Sequence, residues 1–166
     1  MARKKRVLKR PTILPDKNFG SILVSRLVNR IMQNGKKTVA NEIVVEALKA
    51  ASEKLQVAPA EVLEKAVETA RPKIETKGVR VGGANYQVPM EPYPARSLRL
   101  ALTWIVNGAR AVKGKPMNEK LAAVLIDTYN EQGVAIAKRD VVHQQAASNK
   151  AFAHLALRAK KPKVKK

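Results

Sequence analysis

Few residues in this chain have the types and spacing that chemistry needs. His143 and His154 are the two histidines. On one helix they would share a face about three turns apart, with roughly 16 Å between them at ~1.5 Å rise per residue. That is far too wide for one metal ion, and both read as polar surface or interface histidines. Asp127 and Glu131 have the i, i+4 spacing of one helix face, but no acid/base partner accompanies them, so they read as a solvated face. Gly82-Gly83 is not a phosphate loop: the Gly-x-x-x-x-Gly-Lys-Ser/Thr pattern is absent and no helix starts just after it. Asn34-Gly35-Lys36-Lys37 is better suited to an anion, since backbone N–H groups and two lysines at a helix start can hold a nucleic-acid phosphate. The absence of cysteine removes disulfides, thiolate metal sites and cysteine nucleophiles. The reading is of a chain with no catalytic residues, no cofactor, no metal and no small-molecule substrate.

The basic residues say more. There are 33 Lys and Arg against 13 Asp and Glu, a net charge of +20. A domain this basic repels itself until a polyanion neutralises it. The basic groups gather at helix starts, helix ends and loops: Lys36 and Lys37, then Arg96, Arg99 and Arg110 around the helix after residue 94, with Lys113 and Lys115 beyond it, then Lys138 and Arg139 at the opening of the last helix. A membrane-surface helix needs an exposed apolar face beneath a basic one, whereas the apolar stripes here are needed to pack one another. No stretch reads as a membrane span or a signal peptide. Nucleic acid is favoured, and membrane is not.

The elements that must position these groups are mostly helical. The chain has 166 residues, 45% hydrophobic but only 4% aromatic, which is one domain with a core of Leu, Ile, Val and Ala and favours packed helices over a β-sandwich. The predicted architecture is a mainly α, six-helix bundle-like domain with one protruding β-hairpin and basic disordered termini. Residues 1–18 form a basic arm, 19–157 the helical body and 158–166 a basic tail. The predicted inner stripes are Leu23, Leu27, Val28 and Ile31; Val39, Ile43, Ala47, Ala50 and Ala51; Val62, Leu63, Ala66, Val67 and Ala70; Leu98, Leu102, Ile105, Ala109 and Val112; and Leu121, Val124, Leu125 and Thr128. Gly133 is read as the end of the fifth of these helices. The last helix is placed from about Lys138 to about Leu157. Between residues 73 and 91 the helical period fails, and "KIETKGVRV" and "ANYQVPME" read as a hairpin turning at Gly82-Gly83. Pro89 confines the second arm to an edge. A lone hairpin is barely stable, so it should project and become ordered against a partner. Tyr86 on that arm has two open readings, a base stack or a contact with the opposite strand.

A projecting hairpin, basic arms and scattered basic patches suit folded RNA, and no recognition-helix motif for DNA stands out. A helical DNA-architectural protein and a nucleic-acid-processing enzyme are the rival readings. Three segments then carry a resemblance. "NGKKTVANEIVVEAL" (34–48), "GGANYQVPME" (82–91) and "NKAFAH" (149–154) together resemble the seventh protein of the small ribosomal subunit in its bacterial-type form, and the similarity runs in order from the basic arm to about His154. The resemblance implies a six-helix fold with a protruding hairpin and a primary binder of small-subunit rRNA, in the cytoplasmic ribosome or an organellar one. It implies docking on the 3′ major domain, nucleation of head assembly, and a place near exit-site tRNA and the mRNA exit path, beside the eleventh small-subunit protein. Position by position, it implies that Arg3, Lys4, Lys5, Arg6, Lys9, Arg10, Lys36, Lys37, Lys73, Lys77, Arg80, Arg96, Arg99, Arg110 and Lys115 face rRNA. Val81, Gly82, Gly83, Ala84, Asn85 and Tyr86, with Lys138, Arg139, His143, Asn149 and His154, would lie towards tRNA and mRNA. The chain departs from the family in three places: Gly78 and Val79 stand where an arginine cluster is common, Ser97 follows Arg96 in place of a second arginine, and "HLALRAKKPKVKK" replaces the usual ending.

Overall fold

The computed structural model describes residues 12–156. Arg3, Lys4, Lys5, Arg6, Lys9, Arg10 and the 158–166 tail lie outside the described residues. Among those described there are six α-helices, a two-stranded hairpin and a closing 3-10 helix, in the order α1 (Ile22–Ile31), α2 (Lys37–Leu55), α3 (Pro59–Ala70), β1 (Glu75–Val81), β2 (Ala84–Met90), α4 (Pro94–Ala111), α5 (Met117–Tyr129), α6 (Gly133–Ser148) and the 3-10 helix (Lys150–Leu155).

Local chemistry sets several boundaries. Asp16 Oδ2 accepts from the Asn18 and Phe19 N–H groups. Ser21 then caps α1 by accepting from the Leu23 N–H at 3.2 Å, so the helix opens just after the predicted Phe19. Pro59 and Pro94 occupy the first turns of α3 and α4, where the missing N–H costs nothing. Asn34 and Gly35, both at positive φ, turn the chain from α1 into α2.

α5 lies against α2, α3, α4 and α6, with Leu121 and Leu125 wholly buried. The buried Thr128 on the same helix donates its hydroxyl to the Val124 carbonyl at 2.6 Å, which satisfies a polar group in the core. The predicted stripes of α3 and α5 are all buried. That of α2 is rotated by about one residue: Ala40, Val44 and Leu48 are buried with Ala47 and Ala51, whereas Val39 is 51% exposed and Ile43 and Ala50 are only partly covered. In α1, Val24 joins the core and Leu23 sits at its margin. Val112 is the exposed cap of α4 and not part of its inner stripe.

The C-terminal region also differs from expectation. α5 ends at Tyr129, and Gly133 opens α6. Its φ of 86° and a built Cβ at 3.0 Å from the Asp127 Cβ leave glycine as the fitting residue. Glu131, at a φ of 61° in this turn, does not share a helix face with Asp127. Lys138 and Arg139 therefore lie inside α6 instead of opening it, because the apolar Ala135 and Ile136 of its first turns are buried. The helix stops at Asn149, whose side-chain amide donates to the Gln145 carbonyl, and the chain tightens into the 3-10 helix. Leu157, the predicted end, lies outside the described residues.

Candidate nucleic-acid interface

The hairpin pairs antiparallel from Glu75 opposite Met90 to Val81 opposite Ala84. Gly82 and Gly83, at φ 58° and 90°, form the two-residue loop, which needs left-handed backbone at both positions. The pairing sorts the side chains by face. Lys77, Val79 and Val81 share one face with Tyr86 and Val88; Arg80 shares the other with Asn85 and Gln87. Lys77 and Arg80, predicted together as stem contacts, therefore point to opposite sides.

Three contacts tether the hairpin to the body, two at its base and one nearer its tip. Arg96 Nε donates to both oxygens of Glu75 at 2.6 and 2.7 Å. The Lys73 backbone N–H donates to His143 Nε2 at 3.0 Å. The Tyr86 ring meets Phe152 of the 3-10 helix at 5.1 Å between centroids, tilted by 50°, within the favoured range for an aromatic pair. Tyr86 also stands opposite Val79. Val88 is wholly buried at the foot, while Gly82, Gly83, Ala84 and Asn85 at the tip are exposed and Val81 is partly covered.

The predicted basic residues divide into two groups. Arg96, Arg110 and Arg139 make contacts within the protein. Arg96 forms the ion pair above. Arg110 donates to the Ile31 carbonyl at the end of α1 at 3.2 Å. Arg139 donates to the Thr69 carbonyl and pairs with Asp140, each at 2.8 Å. Lys36, Lys37, Lys77, Arg80, Arg99, Lys115 and Lys138 are exposed and have no carboxylate within ion-pair distance among the described residues. The Lys73 side chain is exposed as well. His143 and His154 do not share a helix: His143 is on α6 at the hairpin base, and His154 Nδ1 lies 3.0 Å from the Ala151 carbonyl in the 3-10 helix.

Two surface hollows join a predicted arginine to other basic groups. One, of about 320 Å³, brings Lys36 together with Arg110, over Val39, Ile43 and Met117. The other, of about 340 Å³ between α1 and α4, joins Arg99 to Arg26, Arg30 and Asn29, with Leu98 and Leu102 behind them. Arg26 and Arg30 were not among the predicted site residues. Their signal was available: an i, i+4 basic pair on the face of α1 away from its apolar stripe. Three arginines lining one concave site, with no carboxylate in ion-pair range among the described residues, are suited to phosphates. No group of His, Asp and Glu that could hold a metal occurs among the described residues, and no helix there is long and apolar enough to cross a membrane.

A helical body, a tethered hairpin and one concave surface lined by three arginines define a basic helical protein. The chain belongs to the family described as ribosomal protein S7p/S5e, whose model matches residues 2–150. Its relatives include the small ribosomal subunit protein uS7 of Coprothermobacter proteolyticus, 51% identical over 144 residues that cover 87% of this chain and 92% of the relative. The protein of the same name from Thermotoga maritima is 49% identical over 152 residues, 92% and 97% of the two chains. That of Chloroflexus aggregans is 47% identical over 148 residues, 89% and 94%. Membership makes this chain a structural ribosomal component and not an enzyme.

Proposed function

We propose that this chain is a primary rRNA-binding protein of the small subunit of the cytoplasmic ribosome. It docks on the 3′ major domain, nucleates assembly of the head, and carries its hairpin tip and α6 towards exit-site tRNA and the mRNA exit path. Neighbouring small-subunit proteins, the eleventh among them, complete its surroundings. The observation that carries the reading is the Arg26, Arg30 and Arg99 cluster between α1 and α4, in a chain of this family. The mechanism is electrostatic capture followed by shape-specific ordering. Arginines that fork onto phosphates fix the RNA against the body, and the hairpin reaches about 20 Å beyond its foot at ~3.3 Å per residue.

The test is the salt dependence of binding to a transcript of the 3′ major domain. With about eight phosphates neutralised, log affinity falls against log salt with a slope of roughly −6 to −7. A slope near zero removes the electrostatic basis. Equal affinity for duplex DNA in competition favours a DNA-architectural protein instead.

A further inference from the structure

The chain holds one Trp, three Tyr and two Phe, and all but one of these rings are engaged within the fold. Phe19 and Trp104 pack on the core, Tyr86 meets Phe152, and Tyr129 lies under the Lys65 ammonium at 3.9 Å. Tyr93 has no ring or cation partner among the described residues and is 78% exposed. An aromatic ring left in water forfeits the burial that every other ring in this chain gains.

Its backbone is held firmly. Pro92 is buried before it and Pro94 opens α4 after it. Its φ and ψ of −59° and 146° are near polyproline II geometry, to which a following proline biases a residue. Its carbonyl accepts from the Arg96 and Ser97 N–H groups at 2.8 and 3.0 Å. The side chain makes no cap hydrogen bond. A ring on a fixed stem loses little conformational entropy on binding.

The surroundings favour nucleic acid over a protein partner. Tyr93 does not itself line the hollow that holds Arg26, Arg30 and Arg99, but Ala95, two residues after it at the start of α4, does. Of the two carboxylates nearest in the chain, Glu75 is already neutralised by Arg96, which leaves Glu91. An exposed ring two residues from the rim of an arginine-lined hollow suits an unpaired base whose neighbouring phosphates are gripped there.

We propose that Tyr93 is a base-stacking site for an unpaired nucleotide of the RNA whose phosphates occupy the Arg26, Arg30 and Arg99 cluster. The proposal rests on the RNA-binding reading above and adds a residue and a mode of contact to it.

The test uses the full chain and a transcript of the 3′ major domain of a bacterial small-subunit rRNA. Binding of Tyr93→Ala, Tyr93→Phe and Arg99→Ala is measured across a salt series, with ultraviolet crosslinking and mass-spectrometric mapping of the wild type. Matched thermal unfolding shows that each variant is folded. Tyr93→Ala should bind about 5- to 150-fold more weakly, the range for loss of one base stack, with its salt slope unchanged. Tyr93→Phe should restore affinity, and the crosslink should fall on Tyr93. Arg99→Ala should instead make the slope shallower by about 1. Wild-type affinity in Tyr93→Ala alongside the Arg99→Ala effect overturns the stack and leaves RNA binding standing. Equal losses in Tyr93→Ala and Tyr93→Phe mean a hydroxyl contact and also overturn it. So does a Tyr93→Ala defect seen only in binding a neighbouring subunit protein. No binding by the wild type overturns both readings.

Discussion

Replacing Phe152 with Ala should loosen the hairpin while the helical core stays intact. Phe152 touches Tyr86 at 5.1 Å between ring centroids, and an aromatic pair contributes about 0.5–1.5 kcal/mol beyond its area burial. At ~1.36 kcal/mol per tenfold, the population of the open hairpin should rise roughly 2- to 13-fold. This is a lower bound, since some apolar burial is lost as well. The other two tethers, Arg96 to Glu75 and His143 to the Lys73 N–H, remain, so the foot should stay closed and the effect should grow towards the tip. The assay is native-state hydrogen exchange. Amides around the Val79–Tyr86 and Arg80–Asn85 pairs should lose protection by that factor, and those of α3 and α5 should not, because the central core cluster contains no hairpin residue. Unchanged exchange in the hairpin, or an equal loss in hairpin and core, would refute the tether.

Leu63→Ala and Leu125→Ala, both at wholly buried positions, should each cost ~2–5 kcal/mol in urea unfolding; near-zero loss at both contradicts the core assignment. Arg110→Met keeps the stem but removes the donor to the Ile31 carbonyl; about 0.5–1 kcal/mol should be lost, and an unchanged midpoint shows the contact to be idle. Deleting residues 77–86 should leave one cooperative unfolding transition, since the core cluster lies elsewhere; loss of cooperativity would make the hairpin part of the core.

What the sequence revealed depended on how much each residue's placement was local. The stripe of Val62, Leu63, Ala66, Val67 and Ala70 stands among polar neighbours, so periodicity orients α3 without help. α2 is apolar on adjoining faces, with Val39 and Ile43 beside Ala40 and Val44, and only packing against α5 and α3 chooses between them. The hairpin turn was legible because two adjacent glycines permit left-handed backbone at both loop positions. The site was less so. That Lys36 and Arg110 share a hollow, or that Arg96 and Arg139 are committed to Glu75 and Thr69, depends on contacts between segments remote in the chain. Charge counting cannot distinguish an arginine that binds RNA from one that holds two helices together.

The most direct test of the central claim is the position of this chain in a density map of an assembled small subunit. The chain should lie in the head, with the Arg26, Arg30 and Arg99 cluster on phosphates of the 3′ major domain and the Gly82-Gly83 tip facing the exit-site path. A position outside the head, or that cluster open to solvent with the tip turned away from the tRNA side, would contradict it.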